Sequence, residues 1–213
     1  MNLQFIDIPT IVGLSGMSLL LSACVLRLLL FFNIKQRSAI FIALIVFALS
    51  CISISGYSIN FYLRGLFNDL SISSLVLLSY YFITSGNTLH AGTAPADKSQ
   101  TRPVFYLTAL TGLFFYPAAL GLGAIDPYSW GFINKAYDHY SALIFIGCLA
   151  GLMFFSFIKQ YDLLLLCLVL STLAYQSGIL ESLNLWDYLL DPLIFIYAFI
   201  TVISPINKKI NPF

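Results

Sequence analysis

Apolar residues run along this chain in long unbroken blocks, not in the strict alternation of a half-buried strand. Seven blocks can be marked, at roughly residues 11–32, 39–57, 70–88, 104–123, 140–158, 163–180 and 188–205. Each is close to the roughly 17–25 residues that cross a bilayer, and the breaks between them carry charges, prolines and asparagines. Backbone groups in hydrocarbon must find their partners within the segment, so the blocks are expected to be helices. A barrel would show alternation instead. The pattern therefore predicts an all-α, polytopic transmembrane helix bundle of about seven spans, with residues 1–213 forming a single integral membrane domain.

Composition sharpens this. The chain is 60% hydrophobic and 9% charged, against about 25% charged residues in a typical soluble domain. Ten basic residues balance nine acidic ones, which argues against a nucleic-acid partner and leaves the lipid bilayer as the expected environment. Cys24, Cys51, Cys148 and Cys167 all lie in apolar blocks, where an isolated cysteine behaves as a small hydrophobe, so four free thiols are expected. The stretch LLSAC (residues 20–24) has the form of a lipoprotein cleavage box. However, no Lys or Arg precedes it and VLRLLLFF follows it, so it is read as part of a first membrane helix.

Orientation follows from Lys and Arg in the short loops. With the N-terminus outside, Lys35, Arg37, Lys98, Arg102, Lys159, Lys208 and Lys209 fall on one side, and only Arg64 and Lys135 on the other. This predicts a cytoplasmic C-terminus. Asp7, Asp69, Asp126, Asp138, Glu181, Asp187 and Asp191 then collect outside with Trp130 and Trp186, as an interfacial aromatic belt requires. Short loops and the charge bias point to a bacterial inner membrane.

The candidate chemistry lies in the outer halves of the spans. Ser50, Ser53, Tyr57, Asn60 and Arg64 are spaced 3, 4, 3 and 4 apart, which would place them on one face of a continuous helix. Ser71, Ser74, Tyr81 and Ser85 repeat a similar spacing, and Asn184, Asp187 and Asp191 follow at three and then four. The expected site is an outward-facing polar cavity lined by Ser53, Tyr57, Asn60, Arg64, Asp187 and Asp191, with Arg64 facing one or both aspartates. Against it stands a structural reading, with serines bonded to their own helices and Arg64 in an outer loop. Asp191 precedes Pro192, as Asp126 precedes Pro127, and both pairs match an N-cap followed by a first-turn proline. A carboxylate that is only a cap is replaceable by Asn at little cost. Asp187 has no such signature and is the stronger functional candidate.

Other features are bland. Arg27 sits near the cytoplasmic end of its span, where it can snorkel or pair with Asp162. Gly147 and Gly151, four apart in GCLAG, form a small-residue face for helix packing, within the bundle or against another membrane protein. GLSG (residues 13–16) resembles the serine motif of rhomboid-type intramembrane proteases, but that family needs a His deep in another span. Here His90 and His139 fall in loops on opposite sides, so the match is read as coincidence. Asp138-His139 could act as an acid/base couple, though a solvated loop explains it. No catalytic residue, cofactor or metal site is assigned. The leading expectation is a non-catalytic subunit or scaffold of a membrane or cell-envelope complex. The alternatives are a small transporter or lipid-handling protein holding a lipid or small ligand, and an enzyme acting on a lipid-linked substrate at the outer leaflet.

Overall fold

The computed structural model describes residues 7–54, 57–91, 98–133 and 139–204. In chain order the helices are α1 (Ile8–Phe31), α2 (Gln36–Ser50), α3 (Ile59–Phe67), α4 (Ile72–Ala91), α5 (Lys98–Pro117), α6 (His139–Ile158), α7 (Asp162–Gln176), α8 (Trp186–Leu189) and α9 (Pro192–Ile203). A minute antiparallel pair, β1 (Ser53–Ile54) and β2 (Tyr57–Ser58), joins α2 to α3. The other described residues are helical, turn or irregular. Lys135, Asp97, Asp138, Lys208 and Lys209 lie outside the described residues, as do the side chains of His90 and His139.

Among the described residues, three helical segments are long and apolar enough to cross a membrane: Ile8–Phe31, Lys98–Leu122 and Tyr140–Ile158. The first, at 24 residues, is about 36 Å long at 1.5 Å per residue, more than the roughly 30 Å of a hydrocarbon core. The apolar helices at Gln36–Ser50, Ile72–Gly86, Asp162–Gln176 and Pro192–Ile203 are shorter. Large apolar side chains such as Phe31, Phe41, Leu110, Leu143, Phe157 and Ile200 stand exposed, as they do where the solvent is lipid.

The chain divides into two compact units. The first comprises residues 1–70, 75–96 and 179–181, and the second 71–74, 97–178 and 182–213. In the first, Asn33 at φ 58° takes the left-handed turn that ends α1 and returns the chain into α2. The two helices meet through small residues. Ser18, Ser22 and Leu26 are buried at four-residue steps on α1, and Ala39 and Ala43 on α2. Small side chains let backbones approach closely, which is how apolar helices gain contact without a hydrophobic driving force.

In the second unit, Gln160 at φ 56° turns α6 into α7. Pro117 and Pro103 sit inside α5. After Pro117 the chain leaves regular α geometry through a distorted turn, Ala118–Leu122, in which Gly121 takes φ 80°. The bare Cα of Gly112 on α5 lies against the ring of Phe195 on α9, and Phe105 meets Tyr197 edge-on at 5.4 Å. Gly147 and Gly151 on α6, by contrast, have open space where a side chain would grow. Close packing on glycine is therefore found at Gly13 and Gly16 of α1 and at Gly112 of α5, while Gly147 and Gly151 stand beside open space.

This contrast can be measured. Both Gly112→Ala and Gly147→Ala gain helix propensity, but only the first forces a methyl group into Phe195. Gly112→Ala should be less stable than Gly147→Ala by about 1–3 kcal/mol in detergent-solubilised unfolding. Equal stabilities would refute the close contact of α5 with α9.

Candidate functional site

The polar stripe expected from Ser50 to Arg64 does not lie on one helix. α2 stops at Ser50, and Ser53 pairs with Ser58 and Ile54 with Tyr57 before α3 begins at Ile59. The local sequence explains the correction. In CISISGYS, β-branched Ile alternates with Ser beside a glycine, a period of two that overrides the helical one. Ser53 and Tyr57 are consequently exposed, and the Tyr57 ring rests on Phe61 at 4.8 Å.

Asn60 turns inward. Its amide donates to the Ser18 hydroxyl at 2.5 Å, and Ser50 donates to the same hydroxyl at 3.0 Å. Arg64 is held by acids of its own unit. Its Nε and terminal nitrogen donate to both oxygens of Asp69 at 2.5 and 2.9 Å, and the terminal nitrogen reaches Glu181 at 2.7 Å. The hydrogen bonds that Arg64 donates to Asp69, with the one to Glu181, raise the guanidinium pKa above its ordinary value. The fork lies against α1 at Gly13, where any side chain would overlap Asp69 and Arg64. Asp69 and Glu181, which the expected site omitted, are thus the partners of Arg64.

The two aspartates belong to different elements of the second unit. α8 ends at Leu189, and Leu190 and Asp191 are extended, so the expected single helical turn between Asp187 and Asp191 is absent. Pro192 is the cause, because a residue before proline is driven out of the α region. Asp191 caps α9, Oδ1 accepting the Ile194 N–H at 2.9 Å. Its Oδ2 accepts the Ser71 N–H at 2.9 Å, the Ser71 hydroxyl at 2.7 Å and the Ser74 hydroxyl at 2.5 Å. Ser71 in turn accepts the Ser74 N–H at 3.1 Å and so caps α4. The carboxylate is buried, and all four bonds come from structural donors.

Asp187 accepts the Tyr128 hydroxyl at 3.0 Å and the Ser182 hydroxyl at 2.5 Å. These bonds belong to a clamp between two loops. Asn184, fully buried, donates to the Tyr128 carbonyl at 2.8 Å and accepts the Trp186 N–H at 3.0 Å. The Trp186 indole donates to the Pro127 carbonyl at 2.8 Å, and the Leu185 N–H to that of Gly131 at 2.9 Å. Asp126 caps the short 3₁₀ turn Pro127–Gly131 by accepting the Tyr128 N–H at 3.0 Å, as its Asp-Pro signature implies. Burial, with the charge of Asp187, pushes the Tyr128 phenol up to about 12.

The expected candidates therefore divide between the units. Ser53, Tyr57, Asn60 and Arg64 lie in the first, and Asp187 and Asp191 in the second. What the sequence reading missed is an apolar crevice in the second unit, about 260 Å³ in volume, walled by α5, α6 and α7 and by Trp130 and Trp186. Its one legible signal was that the only two tryptophans fall on the same side of the membrane in the charge-based topology. Cys24, Cys51, Cys148 and Cys167 are free thiols. Compared with protein-family models, with curated proteins and with solved structures, the chain matches none.

Two expectations follow. Asp191→Asn keeps an oxygen for Ile194 but sets an amide NH₂ against the Ser71 N–H. It should cost about 1–3 kcal/mol in unfolding experiments, where a pure cap would lose almost nothing. For Tyr128, the unfolded phenol loses its proton near 10.0 and the folded one near 12. Its stabilising contribution is therefore full below pH 10 and lost as pH rises to about 12. The stability difference between wild type and Tyr128→Phe should shrink across that window, and a difference that does not change with pH there would contradict the assignment.

Proposed function

We propose that this chain is a non-catalytic multi-pass membrane protein acting as a subunit or scaffold of a membrane or cell-envelope complex. The observation that carries the reading is the fate of the candidate charged groups. Asp191 is spent on two helix starts, Asp187 on a loop clamp, and Arg64 on Asp69 and Glu181. Each of these groups is already bonded to structural donors or acceptors, which supports a structural role for them.

The proposed topology has seven spans, carried by α1, α2, α4, α5, α6, α7 and α9, each overlapping one of the seven apolar blocks. The Lys and Arg distribution supports an outside N-terminus, a cytoplasmic C-terminus and a bacterial inner membrane. The whole chain then acts as one integral membrane domain. The partner is another membrane protein docking on the Gly147/Gly151 face of α6, supported by the open space beside both glycines.

The crevice between α5, α6 and α7 favours lipid handling as a second reading, in a form that differs from the polar cavity expected from sequence. Solute transport and outer-leaflet enzymology have no comparable observation in their favour.

Native mass spectrometry of the protein extracted gently from its own membranes tests the first reading. A stoichiometric second polypeptide is expected, and it should be lost from the Gly147→Leu and Gly151→Leu variants. A wild-type chain that emerges alone overturns the subunit role.

A further inference from the structure

We propose that the crevice of the second unit is a binding site for a single alkyl chain of a membrane lipid. The inference rests on the membrane-embedded reading above and gives its lipid-handling form a place and a ligand class. Three observations meet there. The first is location: two of the walls, α5 and α6, belong to segments long and apolar enough to cross a membrane. Phe114 and Ile144, which line the crevice, are themselves more than half exposed, so it opens onto faces that hydrocarbon would bathe.

The second is the lining. No charged side chain contributes to it. Its polar groups are few and partly engaged. Ser73 shares a hydrogen bond with Ser171 at 3.2 Å, and the Trp186 N–H is committed to Pro127. A water molecule needs two to four polar partners to settle in such a space, so water is a poor occupant. A space open to hydrocarbon and hostile to water is filled by hydrocarbon.

The third is form. At about 260 Å³ the crevice is slightly smaller than the roughly 300–1,000 Å³ of drug-sized pockets, enough for a slender chain rather than a headgroup. One wall is an aromatic cluster. Trp186 stacks on Phe145 with centroids 4.7 Å apart and packs against Phe115 at 4.7 Å, while its indole donates to the 127–131 turn. A flat aromatic surface held by such contacts offers an alkyl chain dispersion contact at a reduced ordering cost on the protein side.

The two tryptophans of the chain both line the site, which supplies the assay. The purified protein in maltoside micelles is titrated with a phosphatidylcholine carrying one brominated stearoyl chain, since bromine quenches indole emission on contact. Wild type should show a saturating phase complete at one lipid per chain, above the linear background of micelle mixing. Cys148→Phe and Thr111→Phe each put a ring into the crevice from a different wall, and each should abolish the saturating phase. Leu143→Phe, an equal enlargement on an exposed part of α6 away from the lining, should keep it.

Helical circular dichroism and a single elution peak select the variants to be compared. Reversal by unbrominated phospholipid and by free stearate assigns recognition to the chain itself. Reversal by the phospholipid alone assigns it to the intact lipid, and either result sustains the proposal. Purely linear quenching of wild type, or an unchanged saturating phase in both filled variants, overturns it. Recovery of the chain from detergent-free soluble extract would instead overturn the membrane-embedded reading, so the two failures are told apart.

Discussion

One buried carboxylate starts two helices. Asp191 takes the Ile194 N–H in the first turn of α9 on one oxygen and, on the other, a backbone N–H and two hydroxyls at the start of α4. Each helix start carries unsatisfied N–H groups and the positive end of a dipole, and in a low-dielectric interior both ask for a negative partner. A single acid serves both, and its four donors offset the cost of burying it. Ser71 and Ser74, whose spacing suggested a polar stripe, and the Asp191-Pro192 cap are one device.

Other constraints in the second unit follow the same logic of shared groups. Asp187, Asn184 and Trp186 each make contacts that tie the 124–131 turn to the 182–188 segment, and none of them serves only its own loop. Gly131 sits where a side chain would collide with Asn184, so the closeness of that clamp depends on a missing Cβ. In the first unit Gly13 does the same for the Arg64–Asp69 pair. In the loop clamp, side chains complete the hydrogen bonds of irregular backbone, the condition under which an apolar environment tolerates it.

The helices were largely legible because their signal is long and redundant. Each of the seven apolar blocks contains a helix, and the Asp126-Pro127 and Asp191-Pro192 caps were readable from two adjacent residues. The break at Ser50 was not, because a run of Ile and Ser carries both a helical and a strand-like period, and hydropathy alone does not choose between them. That one ambiguity misplaced Ser53, Tyr57 and Arg64 together. The long-range partners of Arg64 and Asp191 were invisible for a different reason. Glu181 lies 117 positions from Arg64 and Ser71 lies 120 from Asp191, and spacing rules speak only of neighbours. Asp187 had no local signature and was read as functional on that ground. Of its two partners, Ser182 is five residues away but Tyr128 is again distant in sequence.

The separation of Asp191 from its serines also sets an order of events during synthesis. Ser71 and Ser74 leave the ribosome 120 and 117 residues ahead of the acid they bond. At about 5–20 residues per second, roughly 6–24 s pass before that acid exists. Throughout that interval the first turn of α4 stands with its hydroxyls waiting. A helix made late thus closes the lock on the start of one made far earlier, and a nascent chain stalled before residue 191 holds the first turn of α4 without its brace.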